Sequence, residues 1–117
     1  MSRHFIAYDV ALEFAHRLVP ALAILRRRDR SLEDQLRRAA ASVVLNISEG
    51  DGKSSLRDQA RYFEIARGSC REARAALRLA ATWGYVGEAQ VAELDAIADR
   101  VCALLSKLIA RAASTSR

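Results

Sequence analysis

Apolar residues recur at every third or fourth position through almost the whole chain, and the recurrence is interrupted at only three places. That spacing is the period of an α-helix with one buried face, whereas a half-buried strand would alternate. The interruptions are Arg26-Arg27-Arg28-Asp29-Arg30, Gly50-Asp51-Gly52-Lys53 and Gly84. They cut the sequence into four segments, expected as helices over about residues 7–28, 32–49, 55–83 and 88–112. Short connections between long helices favour antiparallel neighbours. The expected fold is therefore all-α: an antiparallel up-down-up-down four-helix bundle forming one domain over residues 1–117.

Each segment carries its own signals. In the first, Val10, Leu12, Phe14, Leu18, Val19, Leu22 and Leu25 follow helical spacing, but Pro20 lies among them. A proline removes one backbone hydrogen bond, so a kink or a split into two pieces is expected there. In the second, Ser31 reads as the N-cap, with Glu33 and Asp34 in the first turn, where the helix dipole favours carboxylates. Leu32, Leu36, Ala40, Val43 and Ile47 mark its buried stripe, widened by Ala39 and Val44. Ser54 or Ser55 caps the third, with Asp58 at the right distance from Ser55, and Gly84 stops it. Tyr62, Ala66, Cys70, Ala73, Leu77 and Ala80 form its buried side. The fourth has a near-heptad seam of Val91, Leu94, Ile97, Val101, Leu104 and Leu108, flanked by Ala98, Leu105 and Ile109. That stripe is wider than one neighbour needs and points to a second surface to bury. The small, polar tail from Ala113 to Arg117 is expected to fray.

Composition agrees with this reading. The 117 residues include 23 alanines and a single proline, which suits helix because alanine loses no side-chain entropy there. The abundant alanines would also let helix backbones approach closely. No stretch nears the roughly 18 apolar residues of a membrane span. Met1-Ser2-Arg3-His4-Phe5 is not followed by an uninterrupted apolar run, so no secretory signal is expected. A cytoplasmic location with reduced thiols follows, with Cys70 and Cys102 read as buried thiols.

Chemistry-bearing constellations are sparse. Gly52-Lys53-Ser54 resembles the end of a phosphate-binding loop, but that motif needs a glycine where Ile47 stands and a strand before it. His4 and His16 form no nucleophile–base spacing, and no zinc-type Cys/His spacing occurs. Glu49, Asp51 and Asp58 surround the second connection and are of the type that holds a cation, but capping and dipole chemistry plus solvation is the plainer account of them. Trp83 reads as a core plug rather than a stacking platform. Asn46, beside the apolar stripe, needs polar partners in the 50–55 loop or on a facing helix. The chain is thus expected to be no enzyme and to use no metal or cofactor.

Charge is more informative. The formal net charge is +5, and all of the excess lies in residues 1–83. Arg67, Arg71, Arg74 and Arg78 fall on one side of the third helix, extended by Arg57 and Arg61. Arg37, Arg38 and Lys53 are candidates to join them. An ordinary solvated face is the plain alternative, with Glu64 and Glu72 offsetting part of the charge. Arginine, however, matches phosphate with its planar fork and stacks on bases. These nine residues are the candidate nucleic-acid surface.

The stretch Asp34-Gln35-Leu36-Arg37-Arg38-Ala39-Ala40-Ala41-Ser42-Val43-Val44-Leu45-Asn46-Ile47-Ser48-Glu49-Gly50 resembles a signature of the four-helix bundle proteins encoded by intervening sequences of bacterial 23S ribosomal RNA genes. Tyr62-Phe63-Glu64-Ile65-Ala66-Arg67-Gly68-Ser69-Cys70-Arg71-Glu72 resembles the second signature of that family, and Gly84-Tyr85-Val86 its last turn. The resemblance implies assembly into a ring, usually a homopentamer, with no enzymatic activity. It makes Asn46, Glu49, Gly50, Gly68 and Ser69 structural positions. A related branch, the accessory variability determinant proteins of diversity-generating retroelements, forms basic rings that bind a reverse transcriptase and RNA. Two functions follow as expectations: a nucleic-acid-binding homo-oligomer, or a scaffold subunit that holds a protein such as a reverse transcriptase.

Overall fold

A computed structural model describes residues 3–115. Among them are five helices and no strand: α1 (Arg3–Arg17), α2 (Val19–Arg28), α3 (Arg30–Asp51), α4 (Leu56–Thr82) and α5 (Glu88–Thr115). The expected first helix is thus two, and the count is five, not four. Pro20 is the cause: it stands in the first turn of α2, where its missing N–H costs least. Backbone bonds still bracket the break, from the Leu18 N–H to the Phe14 carbonyl (3.0 Å) and from the Leu22 N–H to the Leu18 carbonyl (2.9 Å). Leu18 itself is wholly buried, so α1 and α2 follow one another along one side of the core.

Long-range pairs fix the directions of the helices. Ser42 meets Ser69, and Gly50 lies against Phe63, so α3 and α4 run antiparallel. Arg67 meets Ser106 and Arg78 meets Glu88, so α4 and α5 also run antiparallel. Ile6 lines a groove with Leu108 and Arg111, while Arg28 reaches Tyr85. The α1–α2 arm therefore opposes α5 in direction. Phe14, Leu36, Phe63, Leu77, Val101 and Leu105 are fully buried between these elements. Seven alanines in the core have no exposed surface, among them Ala66, Ala73 and Ala98. Their small side chains let the helices pack closely.

Several local expectations are corrected. Asp29, not Ser31, caps α3: its carboxylate accepts the Leu32 N–H at 3.0 Å. Asp is as good a cap as Ser, and its position two residues earlier lets the helix start sooner. Phe63, not Tyr62, occupies the core position on α4. The wide apolar stripe of α5 does not leave a surface unburied, because both α1 and α4 pack on it. Exposed apolar side chains lie instead on the other helices: Ile6 and Leu12 on α1, Val19 on α2, Leu45 on α3, and Leu56, Ile65 and Leu79 on α4. Ala113 and Ser114, expected to fray, continue α5; Ser116 and Arg117 lie outside the described residues. Ser55 does cap α4, accepting the Asp58 N–H at 3.1 Å. Among the described residues no helix is long and apolar enough to cross a membrane.

Candidate nucleic-acid interface

The structure divides the nine candidate cations into two groups. Four are ion-paired to carboxylates of this chain. Arg37 and Arg38 sit one turn beyond Asp34 on α3 and reach its two oxygens at 2.8 and 3.5 Å. Arg37 also lies 3.3 Å from the largely buried Glu33. Arg74 crosses to α5, where its Nε and Nη2 fork onto Asp95 at 2.7 and 3.0 Å and its Nη1 meets Asp99 at 3.2 Å. Arg78 reaches Glu88 at 3.0 Å. The α4 arginine side is therefore partly a brace to α5. Helical spacing shows which residues share a side, but not whether an acid on the next helix faces them.

The other five, Lys53, Arg57, Arg61, Arg67 and Arg71, make no ion pair among the described residues. They follow one another along the α3–α4 connection and the first half of α4. Lys53 and Arg61 lie over the Tyr62 ring at 5.1 and 5.7 Å from its centroid. A cation over an aromatic face keeps its charge and its outward donors. Arg67 gives one N–H to Ser106 Oγ at 3.1 Å. Arg57, Arg61 and Arg71 are exposed. The connection is held by the Gln59 side chain, which donates to the Lys53 carbonyl at 3.0 Å.

The five motif positions play different parts. Asn46 Nδ2 donates to the Ser42 carbonyl (2.8 Å) and to Ser42 Oγ (3.1 Å), one turn back on its own helix. This corrects the expectation of a partner in the loop or on a facing helix. The link to the facing helix runs through Ser42 Oγ and Ser69 Oγ, 2.7 Å apart. Gly50 is buried where α3 meets Phe63 and Tyr62. Glu49 and Gly68 are exposed.

Beneath the arginine brace lie Cys70 and Cys102, both unpaired by disulfide and buried. Cys70 Sγ donates to the Ala98 carbonyl at 3.3 Å. The neighbouring Cys70 thiol, aided by Arg74, pushes the Cys102 thiol down, against the opposing effect of burial. The nearby Cys102 sulfur and burial push the Cys70 thiol up. Among the described residues no group of three or more His, Cys, Asp or Glu side chains is placed to hold a metal ion.

Arg74 also holds the Asp95 carboxyl below its usual range through their hydrogen bonds. A carboxylate whose folded pKa is depressed stabilises the fold above its unfolded pKa. That stability is lost as pH falls through the folded value. Acid should thus weaken the α4–α5 brace below about pH 4. Asp95→Ala should cost about 1–2 kcal/mol at neutral pH, reduced by solvent screening of this one-third-exposed pair. Urea melts at pH 7 and pH 3 would show the variant and the parent converging in acid. Equal losses at both pH values would rule out this linkage.

The family model described as 23S rRNA-intervening sequence protein matches residues 3–107. The chain belongs to this family. The resemblance seen in the two signatures and the last turn is thereby borne out. The fold of this family member is also similar to a crystal structure from the S23 ribosomal protein family, a protein of unknown function from Bacteroides thetaiotaomicron VPI-5482. The two share 25% sequence identity with a TM-score of 0.82, over 88% of this chain and 97% of that one. No curated protein matches the chain.

Proposed function

We propose that the chain is a non-catalytic subunit of a homo-oligomeric ring, a pentamer of helical bundles, that binds structured RNA or an RNA/DNA hybrid in the cytoplasm. The row of cations that make no ion pair among the described residues, Lys53, Arg57, Arg61, Arg67 and Arg71, carries this reading. Phosphate oxygens are the partners that an arginine outside any ion pair suits best. Ring assembly multiplies the effect: five copies at +5 each give about +25. The exposed Leu45, Ile65 and Leu79 on α3 and α4 support self-association, since folding of one chain leaves them in water. The same surface supports the second reading, a scaffold for a protein such as a reverse transcriptase.

Fluorescence anisotropy with a structured RNA tests the first reading. If about five phosphates are neutralised per subunit, affinity should fall about 500-fold between 50 and 200 mM salt. An Arg57→Glu/Arg61→Glu/Arg71→Glu variant should lose most of the binding while keeping its helicity. Reversal of Arg78, which is tied to Glu88, should matter much less. Binding that ignores both salt and the triple reversal would overturn the nucleic-acid reading in favour of the scaffold.

A further inference from the structure

The end of the bundle opposite the Lys53 connection carries a second cationic patch, and it has aromatic rings in it. The turn between α4 and α5 is built around Gly84, whose φ of +74° suits glycine. There the N–H groups of Gly84 and Tyr85 close onto the Ala81 and Ala80 carbonyls at 3.0 and 2.9 Å. Val86 is buried and anchors the turn. Trp83 is left outside, 54% exposed, which corrects its reading as a core plug. Tyr85 stands edge-on to Trp83, with centroids 6.0 Å apart and planes at 70°. The Arg28 guanidinium lies over the Tyr85 ring, 5.6 Å from its centroid.

Arg28 belongs to the run Arg26-Arg27-Arg28-Asp29-Arg30. Folding explains only part of that run. Cations in the last turn of α2 suit the negative end of its dipole, but Arg30 opens α3, where the dipole disfavours a cation. Arg26, Arg27 and Arg30 are exposed and make no ion pair among the described residues. The neighbouring acids are engaged elsewhere. Asp29 accepts the Leu32 N–H, Asp34 holds Arg37 and Arg38, and Glu88 holds Arg78. The positive charge of the turn is thus left facing solvent at the end of the bundle that carries the exposed indole, with Arg28 and Tyr85 linking the two.

From this juxtaposition we infer that the α2–α3 and α4–α5 turns together bind unpaired, single-stranded nucleic acid. Trp83 is the stacking platform for a base, and Arg26, Arg27 and Arg30 hold the flanking phosphates. An exposed aromatic face beside a cationic track is how single strands are held without regard to sequence. A duplex keeps its bases stacked on each other and offers Trp83 nothing but its ends. All four cations of the run are arginine, which grips phosphate with a planar fork and stacks on bases as lysine does not. The inference rests on the nucleic-acid reading above but places unpaired strands at a different site from structured RNA.

Trp83 is the sole tryptophan of the chain, so its fluorescence reports on this end alone. Titration of the full-length protein with a ten-nucleotide oligouridylate should quench that fluorescence saturably. A blunt duplex of equal length should quench it much less. Trp83→Ala, followed by anisotropy of a labelled oligonucleotide, should weaken binding about tenfold, and Trp83→Phe should recover most of the loss. Arg26→Gln/Arg27→Gln/Arg30→Gln should lower the salt slope by about 2. Oligouridylate binding that leaves Trp83 fluorescence and the Trp83→Ala affinity unchanged would overturn this site while leaving the structured-RNA reading intact. Failure to bind any nucleic acid would overturn both. A blue shift with vesicles containing a quarter phosphatidylserine, but none with oligouridylate, would make the patch a membrane contact and overturn the inference. Circular dichroism of each variant checks that the helices are retained.

Discussion

Gly50→Ala is expected to destabilise the fold by about 2 kcal/mol, although the same change in an exposed helix interior gains up to about 1 kcal/mol. The reason is a close approach between helices. A Cβ on Gly50 would stand 2.7 Å from Phe63 Cε1, 3.0 Å from Phe63 Cδ1 and 3.1 Å from Tyr62 Cβ. Phe63 has almost no exposed surface, so its ring has nowhere to swing. Tyr62 Cβ is fixed to the α4 backbone and yields only if the helix moves. Either α3 and α4 separate locally, exposing apolar surface, or Phe63 leaves its preferred rotamer. Valine adds two further methyl groups and should cost on the order of 3 kcal/mol. Urea denaturation would show a lower midpoint with an unchanged slope. Shrinking the obstacle provides the control: in a Phe63→Leu background the added penalty of Gly50→Ala should diminish, because the two positions share one contact. A Gly50→Ala midpoint at or above that of the parent would refute the close approach.

Gly50 also shows what the sequence can and cannot reveal. Its place at the end of a helical stripe marks a stop, and a stop is how it reads. Yet α3 continues through Gly50 to Asp51, and the glycine is needed for space, not for an ending. Helix identity is legible because the period of 3.6 residues is a local property of the chain. The split at Pro20 is legible for the same reason: a missing N–H is local chemistry. The brace of Arg74 on Asp95 and Asp99 is not, because 21 or more residues separate the partners and only packing brings them together. Trp83 misleads because helical spacing places it on a face without stating whether another helix covers that face. The apolar excess of α5 misleads likewise, since a wide stripe serves two neighbours within one chain as readily as a neighbour outside it. The cations that make no ion pair among the described residues, Lys53, Arg57, Arg61, Arg67 and Arg71, are all visible in the sequence. Only the structure separates them from the four that are neutralised.

The exposed glycine on α4 leads to the other large effect: Gly68→Arg should take the protein from the proposed ring to single chains while leaving its helices intact. A glycine in the middle of a 27-residue helix costs about 1 kcal/mol relative to alanine. At Gly50 crowding explains that cost. At Gly68 a Cβ would meet nothing within 4 Å, so no contact within the chain does. Glu64 and Glu72 lie one turn to either side of Gly68, but Ile65, three residues before it, and Leu79, eleven after it, are exposed apolar side chains on the same side of α4. Leu45, on α3, is the most exposed large apolar side chain of the described residues, at 66%. A missing side chain next to an exposed isoleucine fits a backbone that another subunit approaches closely. Arginine at this position would place a long charged side chain into that contact, while in the free chain it would extend into open solvent. Light scattering at micromolar concentration should therefore report the mass of one chain for the variant and a multiple of it for the parent, with matching circular dichroism at 222 nm. Leu45→Glu should act in the same way, and Arg71→Glu, on the side toward α5, should not. An unchanged mass for both Gly68→Arg and Leu45→Glu would move the interface to another face, and a parent that scatters as a single chain would remove the ring altogether.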